Sequence, residues 1–266
     1  MKRELKIISF CDLVFLLALS LSGSFKGVLS IVIYILGAIG PLMLVHAMGG
    51  EGGLADGVRL LRIKPARALG ALPTVAPTLL SVYLLSLLTA FLMGELFGVT
   101  AEVDLGDNLA LAILKEALLV PAVEEAVFRF IPLLLIGKRS PRLCVLSSAL
   151  LFAFCHCSFF SLPYAFVAGV IFMLIDLASD SVLPSLVIHI LNNLFSVIMI
   201  FGGSAEAYLI AVSLLTVLSV AIMIIFRKKY LFAIREALVA GEKYSFSYEP
   251  LLVLFLTAFI AVTNLL

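Results

Sequence analysis

Charged residues are scarce in this sequence. They make up 13% of its 266 residues, 63% of the residues are hydrophobic, and the mean hydropathy is +1.23. A soluble globular domain carries about 25% charged residues. A soluble fold of this length has too small a core to hide so much apolar surface. The composition therefore excludes an ordinary soluble protein and predicts a polytopic protein that contacts mostly membrane lipid.

An excess of positive charge and a disulfide framework are also absent. The net charge is +1 and no basic cluster is interleaved with aromatic residues, so we expect no nucleic-acid partner. The cysteines lack the spacing of a secreted disulfide scaffold, and we interpret them as reduced packing residues. The four cysteines are Cys11, Cys144, Cys155 and Cys157.

Long apolar runs predict an all-α, polytopic transmembrane helical bundle, because about 20 mostly apolar residues cross a bilayer as one helix. The candidate spans are 7–23, 27–48, 69–98, 109–136, 143–160, 162–179, 182–201, 207–226 and 250–266. The sixth and the last are the weakest, so we expect about eight or nine spans. We expect one integral membrane domain over residues 1–266, with a motif-bearing core at about 109–201, in the cell membrane as a multi-pass protein.

The distribution of basic residues predicts the orientation of these spans. With the N-terminus inside, 15 of the 18 lysines and arginines fall in cytoplasmic segments, as the positive-inside rule requires. The loop 99–108 carries only acidic charges and falls outside. The basic segments 59–67 and 138–142 are thereby predicted to share the cytoplasmic face.

The fourth span contains three charged residues near its middle: Glu124, Glu125 and Arg129. Charges inside a membrane are costly, so each requires a partner or a function. Glu125 and Arg129 are four residues apart and can pair on one helix face. Glu124 points about 100° away. It has no partner in its own helix, which suits a general base or acid.

Two histidines also fall inside predicted spans. His156 lies in the fifth, and His189 lies in the seventh with Asn193 one turn further along the same face. Counted from the cytoplasmic ends, Glu124 and His156 lie roughly 18–20 Å deep and His189 about 10 Å deep. Side chains of three helices can therefore meet in a polar cavity. Asp176 is expected at the cytoplasmic rim of that cavity.

The polar residues form three motifs in chain order: Glu124-Glu125-x-x-x-Arg129, Phe152-x-x-x-His156 and His189-x-x-x-Asn193. Together they resemble the motifs of the CAAX-protease and bacteriocin-processing family of intramembrane peptidases, which includes the type II CAAX prenyl endopeptidases. Each motif alone is weak, but three in order, each inside an apolar span, are specific.

The resemblance implies that the chain hydrolyses a peptide bond of a membrane-associated or lipidated protein or peptide. By this resemblance Glu124 activates the attacking water with the help of His156. His189 and Asn193 stabilise the oxyanion. The partners expected are the lipid bilayer and such a substrate.

The resemblance also implies supporting residues and raises the question of a metal. Glu125 and Arg129 become the supporting ion pair, although reasoning from the residues alone does not separate Glu124 from Glu125. A glutamate and two histidines can hold zinc with an open water position, so Glu124, His156 and His189 are possible ligands. A metal-independent mechanism is about equally expected from the same residues.

Two other functions fit buried carboxylates and histidines in a membrane protein. A proton- or ion-coupled transporter uses such residues as a relay, and it predicts inverted repeats and broken helices. The sequence shows no such symmetry, and its intramembrane charges concentrate in the middle of the chain. A non-catalytic bacteriocin-immunity protein would keep the pocket for recognition, whereas the motif positions here are all intact.

Overall fold

The computed structural model describes residues 2–25, 28–48, 57–62, 75–98, 105, 108–156, 158, 160–202 and 204–239. The predicted last span 250–266 and most of the acidic loop 99–108 lie outside the described residues. The described part of the chain is helical and contains no β-strand, which confirms the all-α prediction.

Eight helices of ten or more residues form the described bundle. They are α1 (Lys2–Gly23), α2 (Val28–Met48), α3 (Val75–Phe97), α4 (109–137), α5 (Pro141–Cys155), α6 (Leu162–Ser179), α7 (Leu183–Gly202) and α8 (Ala205–Val239). A short 3₁₀ turn, Val58–Leu61, lies between α2 and α3. The helices α1, α2, α3, α6 and α7 each contain a stretch long and apolar enough to cross a membrane. The chain is therefore a polytopic membrane protein, and the weakly predicted span 162–179 is a candidate span.

Two helices differ from the predicted spans. The predicted span 143–160 corresponds to α5, which ends at Cys155 and has 15 residues. It is about 22 Å long, shorter than the ~30 Å hydrocarbon core. The next helix begins at Leu162, with Pro163 in its first turn. The other helix, α8, continues past residue 226 to Val239, since the basic segment that follows is rich in residues of high helix propensity.

Helix α4 alternates between α-helical and wider π-helical geometry. Its π stretches are Ile113–Leu119, Ala126–Phe130 and Leu133–Gly137. Pro121 and Pro132 lie inside this helix and lack the N–H that an α-helical ladder requires, which favours such local rearrangement. The α-helical turn Val120–Glu125 lies between two π stretches. A wider turn advances less per residue, so the ~1.5 Å rise overestimates the depth of Glu124.

Several contacts gather the predicted cytoplasmic segments at one end of the bundle. Arg139 Nη1 lies 2.7 Å from Glu4 Oε1, which joins the turn after α4 to the start of α1. The N–H of Val182 donates to the carbonyl of Leu60 at 3.0 Å, which joins the Val58–Leu61 turn to the α6–α7 turn. The end of α4 packs close to Leu177 near the end of α6. This arrangement agrees with the positive-inside pattern, and the side of the membrane stays a prediction.

Aromatic side chains connect the first two helices to the motif-bearing core. Phe15 packs edge-on against Tyr34 of α2, with ring centroids 5.6 Å apart, and against Phe128 of α4 at 5.4 Å. Phe128 in turn contacts Phe152 of α5 at 5.8 Å. These rings are buried, whereas many other large apolar side chains are exposed on the outside of the helices. That exposure is expected of a surface solvated by lipid.

Candidate active site

Glu125 is the most connected residue among the predicted site residues. Its side chain is buried, with 2% exposure. Oε1 lies 2.9 Å from His189 Nδ1 on α7, and Oε2 accepts a hydrogen bond from Ser185 Oγ at 2.8 Å. Arg129 Nε lies 3.9 Å from Oε2, one turn along α4. Every oxygen of this carboxylate therefore has a partner, as a structural buried anion requires.

Glu124 differs sharply from its neighbour. Its carboxylate accepts no hydrogen bond from any described residue, although the side chain is only 8% exposed. The closest charged partner is His189, whose Nε2 lies 3.6 Å from Glu124 Oε2. Glu124 also interacts electrostatically with His156. Nδ1 of His189 thus faces the carboxylate of Glu125, and Nε2 faces that of Glu124. Of these two carboxylates, the one of Glu124 remains available to another molecule.

His156 forms the C-cap of α5, directly after the last helical residue. Its Nδ1 lies 2.8 Å from the carbonyl oxygen of Phe152. A carbonyl can only accept, so Nδ1 carries the hydrogen and donates it. This bond satisfies one of the carbonyls left unpaired at a helix end. In a neutral ring, Nε2 is then the nitrogen that can accept a hydrogen bond from water.

Asn193 lies one turn beyond His189 on α7, as predicted, but its side chain turns toward the start of α4. Nδ2 donates to the carbonyl of Glu116 at 2.9 Å, and Oδ1 accepts from Asn192 at 3.2 Å. Glu116 belongs to the first π stretch. No hydrogen bond within the described part of the chain links Asn193 to Glu124 or His189. One N–H of its amide group remains for a ligand.

Arg129 is a fully buried cation that forms a hydrogen bond, cation–π contacts and an ion pair. Nη1 donates to Ser148 Oγ at 3.1 Å, while Nε and Nη2 have no hydrogen-bond partner among the described residues. The guanidinium carbon lies 4.3 Å from the ring centroid of Phe152 and 5.6 Å from that of Phe172. The ring faces supply part of the stabilisation that the ion pair with Glu125 does not.

Sequence reasoning placed Asp176 wrongly and missed Ser185 altogether. Asp176 is completely buried rather than at a rim, and Ser185 Oγ lies 2.8 Å from its Oδ2. Ser185 precedes His189 by four residues and therefore shares its helix face, which is the signal that could have revealed it. Tyr34 was also missed, because α2 carries no motif. It is buried and interacts electrostatically with Glu124.

The possible zinc ligands do not form a metal-binding group in this arrangement. Within the described ranges, no three histidine, cysteine, aspartate or glutamate side chains are grouped so as to hold a metal ion. A zinc-dependent and a metal-independent mechanism both stay predictions, which metal analysis would separate.

Comparison with known proteins bears on the segment that carries all three motifs. Residues 106–195 match a family model described as Rce1-like, type II CAAX prenyl endopeptidase Rce1-like. Neither a curated protein nor a solved structure matches the chain. The match spans α4 to α7 and therefore includes every predicted site residue. It confirms the resemblance to CAAX-type membrane proteases that the motifs predicted.

Proposed function

We propose that this chain is an intramembrane endopeptidase that hydrolyses a peptide bond of a membrane-associated or lipidated protein or peptide. The observation that carries the proposal is the pair of adjacent glutamates. Glu125 is fully engaged by Ser185, His189 and Arg129, whereas Glu124 has a carboxylate with no hydrogen-bond partner among the described residues. A nearly buried carboxylate that accepts no hydrogen bond is destabilising unless a ligand or a reaction uses it.

The proposed reaction starts with a water molecule held between Glu124 and His156 Nε2. Glu124 takes one proton from this water as its oxygen attacks the carbonyl carbon of the scissile peptide bond. The tetrahedral intermediate collapses when the C–N bond breaks, and Glu124 returns the proton to the leaving amine. The products are a carboxylic acid and an amine, which become a carboxylate and an ammonium group when the acid passes its proton to the amine in water, and the carboxylate of Glu124 is regenerated.

The geometry sets a condition on the proposed role of His189. Its Nδ1 donates to the carboxylate of Glu125. Nε2 can therefore donate to an oxyanion only when the ring is an imidazolium. Carboxylate oxygens lie on both sides of the ring, 2.9 Å from Nδ1 and 3.6 Å from Nε2. A fixed donor to an oxyanion contributes about 3–4 kcal/mol to the stabilisation of a transition state. Asn193 would supply its remaining N–H.

The substrate class follows from where the site lies. Glu124 and His189 are buried within a bundle whose outer surface is apolar, so the peptide must reach them from the lipid or along the helices. A lipidated C-terminus or a helix-embedded bond fits this requirement. The matched family is described as prenyl endopeptidases, which makes prenylated peptides the first synthetic substrates to test.

The proposal is tested by comparing the N- and C-termini in the membrane proteomes of cells that express wild-type protein or Glu124→Gln. Glu116→Gln is the matched control, because it makes the same chemical change two turns away on α4. New termini with wild type and the control, but not with Glu124→Gln, are the expected result. Three identical sets of termini from folded, equally expressed proteins would refute the proposal.

A further inference from the structure

One hydroxyl group lies between two buried carboxyl groups. Ser185 Oγ is 2.8 Å from Glu125 Oε2, 2.8 Å from Asp176 Oδ2 and 3.0 Å from the carbonyl oxygen of Val182. The residues Asp176, Ser185 and Glu125 are each at least 98% buried. The three groups come from α6, α7 and α4, so this contact joins three of the helices that build the site.

The number of protons available at this junction is limited. A serine hydroxyl has one hydrogen to donate. If Glu125 and Asp176 were both ionised, one carboxylate oxygen would face a lone pair of Oγ at hydrogen-bond distance without a hydrogen between them. In a buried site such a contact is strongly unfavourable. At least one of the two carboxyl groups is therefore a neutral acid that donates its own hydrogen to Oγ.

The neighbours of each carboxyl group identify the neutral acid as Asp176. Glu125 has the Arg129 guanidinium at 3.9 Å and accepts from His189 Nδ1 at 2.9 Å, and both contacts favour its ionised form. Asp176 forms no ion pair within the described ranges, and its Oδ1 is buried without a hydrogen-bond partner. An unpartnered carbonyl oxygen of a neutral acid costs far less than an unpartnered carboxylate oxygen.

We propose that Asp176 and Ser185 are positioning residues for the hydrolytic site. The carboxylic acid of Asp176 donates to Ser185 Oγ, Ser185 donates to Glu125 Oε2, and Glu125 Oε1 accepts from His189 Nδ1. These hydrogen bonds fix the rotation of the Glu125 carboxylate. Through it they fix the plane of the His189 ring, so that Nε2 faces Glu124. The catalytic part of this inference rests on the proposed peptidase function.

The geometry predicts a pattern of conservative variants that a purely structural role would not produce. Asp176→Ala and Ser185→Ala each remove one hydrogen bond of the chain, and kcat for a cleaved peptide should fall ~10–100-fold with little change in KM, as expected when a catalytic group is misplaced. Asp176→Asn should rescue most of the activity, because a neutral amide N–H can donate to Ser185 Oγ. Glu125→Gln makes the same carboxyl-to-amide change, but it should not keep the activity that Asp176→Asn keeps.

Infrared spectroscopy tests the neutral acid without any need for activity. Wild-type protein should show the carbonyl stretch of a protonated carboxylic acid. This band should be missing from Asp176→Asn. It should be unchanged in Asp180→Asn, which alters a residue that takes no part in these hydrogen bonds. Absence of that band from wild type would overturn the inference, even if the protein cleaves peptides. Presence of the band in a protein that cleaves nothing would refute the peptidase function instead. A folded Asp176→Asn as inactive as Asp176→Ala would also overturn the positioning role.

Discussion

The buried ion pair between Glu125 and Arg129 gives the most quantitative prediction. Replacing Arg129 with Met keeps much of the side-chain volume over the Phe152 ring but removes the charge. Because the two side chains are 0% and 3% exposed, loss of the cation leaves the buried Glu125 carboxylate with only its contacts to Ser185 and His189. We expect Arg129→Met to lower the free energy of unfolding by about 3–5 kcal/mol.

The coupling between the two residues can be worked out from their distance. At 3.9 Å and an effective dielectric constant of about 20, the Coulomb energy of the pair is ~4 kcal/mol. In a double-mutant cycle, Arg129→Met combined with Glu125→Gln should therefore be several kcal/mol less destabilising than the sum of the two single changes. The assay is reversible unfolding of the purified protein in mixed micelles, followed by circular dichroism.

The matched control is the second ion pair of α4. Lys115 Nζ lies 2.8 Å from Glu116 Oε1, closer than the Glu125–Arg129 pair, but the Lys115 side chain is 47% exposed. Lys115→Met should therefore cost at most about 1 kcal/mol. If Arg129→Met were no more destabilising than Lys115→Met, or if the two changes at 125 and 129 were additive, burial would not control the strength of this pair.

Three further predictions concern packing, topology and metal. Gly169→Ala should destabilise the bundle by about 1–3 kcal/mol, because the new Cβ would lie 2.8 Å from Ala149 Cα, whereas Gly94→Ala meets nothing within 4 Å and should not destabilise it in the same unfolding assay. Cysteines introduced at Arg62 and Arg139 should both react with an impermeant reagent applied from the cytoplasmic side; reaction from opposite sides would contradict the predicted orientation. If the reaction requires zinc, metal analysis should find one zinc per chain, and chelation should remove the zinc and the activity together. A zinc-free protein with full activity would show that zinc is not required.

The sequence predicted the polytopic helical fold because hydropathy is a local property of the chain. A stretch of apolar residues such as 162–179 requires a helix in lipid whatever its neighbours do. The motifs were equally readable, since residues four apart share a helix face without any knowledge of tertiary structure. The sequence could not give the depth of Glu124 or the early end of α5. These depend on π-helical turns and on a helix that ends at Cys155, where the carbonyl of Phe152 accepts from the His156 ring.

The distinction between the two glutamates required the tertiary structure. Helix spacing offers Arg129 as a partner to Glu125 and not to Glu124, but it does not say which carboxylate is held by the neighbouring helices. Those contacts come from His189 and Ser185 on α7, 60 or more residues away along the chain.

The sequence by itself thus determined that this protein spans a membrane, that its helices carry three protease-like motifs, and which residues those motifs contain. The packing of α4, α6 and α7 decided that Glu125 is the glutamate hydrogen-bonded by neighbouring helices. It also decided that Asp176 is buried and that Ser185 joins it to Glu125. The physical reason is that hydropathy and helix spacing act between near neighbours along the chain, whereas hydrogen bonds in the buried site form between side chains that only folding brings together.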